Sequence, residues 1–442
     1  MYYNFRHLIY NLRGGFLVRP MLIAITFGLI GGVLSAWEEG HPAISKIVPT
    51  FLFPSNHEPE IAQLILASIA TSMMTVVSIV FAILLMTLTL ASMQFSPRLI
   101  VTFVSDRITQ QTLGIFLGTF LYCIAALPSA RKLPVAFSPV LTVFGAMLLS
   151  VACVGWLLFF ISHISQSISV NHIVDRIARE TETMIDNLMP KRRLYSAETG
   201  APLDEPNPWD APVLSVISGY VRTIDTNQLV AIAKANRISI RVLRRVGHFV
   251  PAGVPLLTIS KAKLLTPALS ESLLRSFQIG PTRTLEQDIE FGILQIVDIA
   301  LKAISPAVND PSTAISCVDQ LSSILISFST RQAPGTHFYD PPGTLRVTIP
   351  NLGFDRLAES AFEQIRSYSK TDVAVSLRLM RAFIDITQTL PNGADRQLLA
   401  EQGRRLLSGF SELPGEDVLG EMKSRLKSLE KLAEPQPVEF VK

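Results

Sequence analysis

The sequence predicts a two-part protein: an α-helical membrane domain of about four transmembrane helices, then a cytoplasmic α+β region with a small β-barrel and helix hairpins. Three observations lead there. Of 442 residues 48% are hydrophobic and 17% charged, but the charge is unevenly placed. Eight Lys/Arg and five Asp/Glu precede residue 165, leaving 31 of each after it. The first part holds four long runs free of Asp, Glu, Lys, Arg and His, whereas apolar residues in the second recur at helix or strand spacing. The whole net charge of +3 therefore lies in the apolar part. A neutral second part argues against nucleic-acid binding through bulk charge, and this much apolar residue excludes a wholly disordered chain. The boundaries read as a transmembrane domain over 1–165, an amphipathic helix and linker over 166–210, the small barrel over 211–262 and a mainly helical domain over 263–442.

The charge-free runs cover residues 21–37, 61–97, 111–127 and 135–162. Each reaches the ~17–25 residues that span a bilayer, and a backbone in hydrocarbon satisfies its own hydrogen bonds by forming helix. The first run also has the outline of a secretory signal, with a basic start and small residues at Val33, Ser35 and Ala36. Its length and the three runs that follow favour a span. Arg6, Arg13 and Arg19 before the first run, Arg98 and Arg107 between the second and third, and Arg176, Arg179 and Lys191–Arg193 after the fourth place both termini in the cytoplasm. Arg131 and Lys132 vote the other way. The loop from Glu38 to Glu60 then faces outward and is acidic.

In the second run, Ser68, Thr71, Thr75, Ser78, Ala82, Met86, Thr89 and Met93 fall on one helical stripe. One reading is a helix–helix seam, where small and hydroxylated residues let backbones approach. The other is a pore lining whose hydroxyls offer oxygen to an ion or water. Phe95-Ser-Pro-Arg98 supplies the stop. The runs lack the buried ionisable residues that coupled transporters use.

Residues 170–188 form an amphipathic helix that packs on its own domain, on a second subunit or in the headgroup plane, and Pro190 ends it. A polar, proline-containing loop, 191–210, follows. Short β-runs at 213–217, 220–224, 238–242 and 256–259, punctuated by Gly219, Gly247 and Gly253, predict the barrel, with a short helix over 228–236. The string from Gly247 to Leu256 resembles a turn of biotinyl- and lipoyl-type barrels, but Lys234 lacks the hairpin context of their modified lysine, and His248 reads as a turn residue. A helix over 285–304 and one over 311–326 predict a hairpin, with Asp310 as N-cap and Pro311 at the first helical position. Asp288, Gln295, Asp298 and Lys302 share one face. That face is either a solvated surface or, with Asn309 and Asp310, a ligand or subunit contact. Asp288 and Asp298 stand ~15 Å apart along the helix, too far to work as one acid–base pair. A strand over 345–349 and helices over 354–389, 396–407 and 416–432 complete the chain, with Arg366, Tyr368, Lys370 and Asp372 at a polar junction. Cys123, Cys153 and Cys317 show neither zinc spacing nor a disulfide framework, so no metal or cofactor is expected.

Phe95-Ser-Pro-Arg98 with the stretch 111–122 (QTLGIFLGTFLY), and Asp298 to Ala314 (DIALKAISPAVNDPSTA), resemble signatures of a bacterial family of predicted membrane proteins, domain of unknown function 2254. The resemblance implies a multi-pass membrane protein with a cytoplasmic region, and brings no activity or catalytic residue. The residues themselves give two functional expectations, neither enzymatic. One is a homo-oligomeric channel gated by its cytoplasmic domain, with Ser68, Thr71, Thr75, Ser78 and Thr89 at the pore or seam. The other is a membrane-anchored scaffold or sensor. In both the partners are the bilayer and further copies of the chain, not nucleic acid.

Overall fold

In a computed structural model the described residues are 17–41, 58–94, 106–131, 137–167, 169–189, 211–332, 335–340, 344–391, 393–409 and 416–434. The stop at 95–98, the loop over 191–210 and most of the outer loop lie outside them, as does the side chain of Met93. The chain divides into two compact units, Met1–Ser169 and Val170–Lys442.

The first unit holds four helices long and apolar enough to cross a membrane: α1 (Val18–Gly40), α2 (Pro59–Gln94), α3 (Arg107–Ala126) and α4 (Val140–Ser167). At 1.5 Å per residue, 36-residue α2 is roughly 54 Å long, well beyond the ~30 Å hydrocarbon layer. Helices α1 and α3 make the closest contact, and glycines permit it. A Cβ on Gly31 would sit 2.5 Å from the Tyr122 carbonyl oxygen, and one on Gly114 or Gly118 would sit 2.9 Å from Ile23 or Phe27. Asp106 starts α3, accepting from the Thr109 amide at 2.9 Å. Glu38, fully buried in the last turn of α1, caps α4 by accepting from the Leu141 and Thr142 amides at 2.7 and 3.0 Å and from the Thr142 hydroxyl at 2.9 Å. A carboxylate suits the positive end of a helix dipole. Glu39 pairs with Arg131. Two of the acidic residues expected in an outward loop thus fasten the bundle.

The second unit opens with α5 (Val170–Leu188), continues through a mixed α/β region and ends in helices. Strands β1 (Ala211–Leu214), β2 (Gly219–Ile224), β3 (Ile240–Val242), β4 (Phe249–Val250), β5 (Pro255–Ile259) and β6 (Phe277–Gly280) are interrupted by α6 (Thr226–Ala235) and α7 (Pro267–Leu274). The helices α8 (Ile289–Ala303) and α9 (Pro311–Ser329) precede β7 (His337–Asp340) and β8 (Thr344–Thr348), and α10 (Phe354–Tyr368), α11 (Val373–Thr389), α12 (Gly393–Ser408) and α13 (Glu416–Ala433) close the chain.

No closed barrel is found among the described residues. The strands form a five-stranded sheet, β1-β5-β3-β8-β7, and a three-stranded one, β4-β2-β6. The expected barrel does not close because β3 pairs in parallel with β8, drawn from about a hundred residues downstream, while β2 takes β4 and β6 as neighbours. Val213, Val221, Leu229, Ile240, Leu256 and Val347 from both sheets and α6 share one core.

The hairpin of α8 and α9 forms as expected, and α5 packs on both helices. The apolar face of α5, with Ile173, Val174, Ile177 and Ile185, is buried inside the second unit, which removes the headgroup-plane reading. Thr181 fits against Gly292, where a side chain would collide with its hydroxyl. Phe362 and Phe383, both fully buried, meet edge-on between α10 and α11 with ring centres 5.2 Å apart.

Candidate functional site

In the first unit, Ser68, Thr71, Thr75, Ser78 and Thr89 are all exposed. The packed face of α2 is formed instead by Ala62, Leu66, Ala70, Met73, Val80 and Thr87. At ~100° per residue the hydroxyl stripe lies roughly opposite that face, so among the described residues it forms no seam. The tight seam belongs to Gly31, Gly114 and Gly118, and a four-residue glycine spacing is the signal that would have found it. The Thr75, Ser78 and Thr89 hydroxyls donate to the carbonyls of Thr71, Met74 and Leu85, four residues back, at 3.1, 3.0 and 2.9 Å. They keep their lone pairs free to face a second helix, water or an ion.

In the second unit the four residues expected at one contact are divided. Helix α8 starts at Ile289, four residues later than its sequence suggests, so Asp288 is its N-cap and not part of a solvated face. Asp288 and Gln295 are buried, at 3% and 2% exposure, and Asp298 is half-buried. At the far end, Asn309 takes a left-handed φ of 49°, a conformation asparagine tolerates, and its amide donates to the Ser305 carbonyl at 2.9 Å. Asp310 caps α9 as expected, accepting from the Thr313 amide at 3.1 Å and hydroxyl at 2.6 Å. Those bonds hold its carboxyl below the usual range. Asn309 and Asp310 thus have work to do within the turn.

Asp288 belongs instead to a cluster that residue spacing did not reveal. Arg283 grips it with two bonds, Nε to Oδ2 at 2.6 Å and Nη2 to Oδ1 at 2.7 Å, and lies 5.5 Å from the Phe291 ring centre. The same Nη2 donates to Glu290 at 3.1 Å. Glu290, also buried, accepts from Arg245 at 3.1 Å, Arg356 at 3.2 Å and the Ser360 hydroxyl at 3.1 Å. Gly247, with a φ of 86°, brings the backbone so close that a Cβ would sit 2.6 Å from Asp288 Oδ2. Burial opposes ionisation of Glu290, but the Arg245 and Arg283 guanidiniums outweigh it and hold the carboxyl below its ordinary value. Burial, then Arg245, lowers His248 beside them, with Glu290 pulling the other way. His248 does lie in a turn, and it faces this cluster. The arrangement joins the β3–β4 turn, the start of α8 and the start of α10. Its carboxylates are saturated by guanidiniums, so it is a structural lock and offers no free acid or base.

Among the described residues, no group of three or more His, Cys, Asp or Glu is gathered to hold a metal ion. An open cleft between α5 and residues 284–286 is lined by Arg176, Arg179, Glu180, Met184, Leu285 and Glu286. Its charges cancel, and both arginines pair along α5 with Glu180 and Asp175.

Comparison with known proteins agrees with a membrane protein. The family described as predicted membrane protein, domain of unknown function 2254, matches residues 13–385. Uncharacterised proteins of Mycobacterium tuberculosis and Mycobacterium bovis are each 32% identical to the chain over 352 residues, covering 78% of it and 67% of their own length. No solved structure matches.

Proposed function

The chain belongs to this family of predicted membrane proteins of unknown function, and we propose that it is a non-enzymatic, homo-oligomeric channel of the bacterial inner membrane. In this reading copies assemble through the exposed face of α2, and Ser68, Thr71, Thr75, Ser78 and Thr89 line a path between subunits. Both termini are cytoplasmic and the second unit gates the path.

The observation that carries the reading is the direction of the stripe. Five hydroxylated residues point away from the packed face of their own bundle. Lipid alone asks for nothing but apolar side chains there. A path between copies, and not through one four-helix unit, follows from that direction.

The test is ion flux through the purified protein in liposomes, compared with Thr75→Phe. The reading expects flux that the substitution lowers or makes differently selective while the oligomer stays intact. Absence of flux across salts, pH and membrane tension would sink it. That result would favour the scaffold or sensor reading, which draws support from the internally bonded hydroxyls, since such groups also tolerate lipid.

A further inference from the structure

The β1–β2 and β4–β5 turns carry apolar side chains that the core of the second unit does not use. Val216 is 75% exposed, Ile217 50%, Leu214 46% and Phe249 51%. Backbone bonds hold the two turns side by side: the Ser215 amide donates to the Val254 carbonyl at 3.0 Å and the Gly253 amide to the Ser215 carbonyl at 2.8 Å. The Ala252 amide adds a bond to the Ser218 hydroxyl at 2.9 Å. Phe249 continues the surface by lying against Tyr220, with ring centres 5.2 Å apart. Neither 211–221 nor 249–260 contains Asp, Glu, Lys or Arg. A rigid, charge-free, apolar prong in water marks a contact surface.

The charge around it identifies what the surface meets. Residues 211–260 contain six basic side chains against Asp225 alone, and although Glu290 takes Arg245 and Asp340 takes Lys234, Arg222, Arg237 and Arg244 keep this stretch basic. The rest of the second part must therefore be net acidic, because the whole is balanced. Arg222 follows Tyr220 on β2, and Arg244 follows Leu243, itself 39% exposed, in the turn that leads to Phe249. Two copies of such a surface brought face to face would repel. An anionic lipid surface complements it, with apolar tips among the acyl chains and guanidiniums at the headgroups.

We infer that this prong inserts into the surface of an anionic bilayer. The inference stands whether or not α2 lines a pore.

The test uses the full chain in liposomes, with Val216→Cys carrying an environment-sensitive fluorophore. The three native cysteines are buried, so the new thiol labels selectively. Tyr368→Cys, at a side chain 70% exposed on the end of α10, is the control. With phosphatidylglycerol in the vesicles, the label at 216 should be quenched by doxyl-bearing lipids and shielded from aqueous iodide, and the label at 368 should behave oppositely. Arg222→Glu with Arg244→Glu, or high salt, should weaken the lipid quenching. Equal iodide quenching at both positions in every vesicle would overturn the inference. So would shielding at 216 without lipid quenching, accompanied by label self-quenching that grows with the protein-to-lipid ratio. That pattern would mean a second copy covers the prong.

Discussion

In the first unit α1 and α3 meet through glycines, whereas in the second the sheet region meets α8 and α10 through two buried carboxylates shared among three arginines. The contrast follows the solvent. Lipid gives apolar helices no reason to leave it for one another, so close backbone approach and van der Waals contact must hold the bundle. Gly31, Gly114 and Gly118 provide that approach. In water, burial of apolar surface already holds the second unit. There the Arg245, Arg283, Asp288, Glu290 and Arg356 network fixes how layers fit. Some polar contacts of the first unit, such as Glu38 on the α4 amides, sit at helix ends, and others, such as Trp156 Nε1 donating to the Thr112 hydroxyl at 2.9 Å, join α4 to α3 farther in.

The comparison breaks first at Glu290. Glu290→Ala should cost about 3–5 kcal/mol, because it leaves the mostly buried Arg245 guanidinium without its carboxylate, while Arg283 keeps Asp288 and Arg356 keeps Glu359. Equilibrium unfolding should show it, and Glu359→Ala, which removes only an exposed partner of Arg356, should cost under about 1 kcal/mol. A smaller effect is expected in the other unit. Gly31→Ala should destabilise by roughly 1–3 kcal/mol through overpacking against Tyr122. Gly155→Ala, where nothing lies within 4 Å, should not destabilise in the same detergent melt. Equal losses at the two glycines would remove the argument for a glycine seam.

Acid should sharpen the same contrast, more gently. A carboxyl held below its ordinary value contributes stability that is complete above the unfolded-state pKa of ~4.3 and is lost as pH falls through the folded one. The stability gap between the wild type and Glu290→Gln should therefore narrow as pH drops below about 4. A gap that stays constant down to pH 2 or so would mean the carboxylate charge is not what the arginines read.

Much of this was legible in the sequence, and the exceptions share a cause. The four spans follow from uninterrupted apolar runs, and the α9 cap from Asp310 before Pro311, because both are local. The ion lock was not legible: Arg245 and Arg356 stand 45 and 66 residues from Glu290 and have no common period with it. The barrel expectation failed for a related reason. β-runs announce strands, but the β3–β8 pairing is settled by tertiary packing. On α2 the periodicity gathers the hydroxyls on one stripe but cannot say which way it points. The smallness of the hydroxylated side chains suggested a seam, while the larger Leu66, Met73 and Val80 fill the packed face.

That direction is what the proposed function depends on most. The direct measurement is cysteine accessibility along α2 in the assembled protein in a bilayer, using a membrane-impermeant thiol reagent against the buried native cysteines. Cysteines at Thr71, Thr75 and Ser78 should react, while those at Ile79 and Phe81, exposed but flanking the stripe, should not. Silence at all five positions, or reaction without regard to helical phase, would contradict a water-lined face on α2.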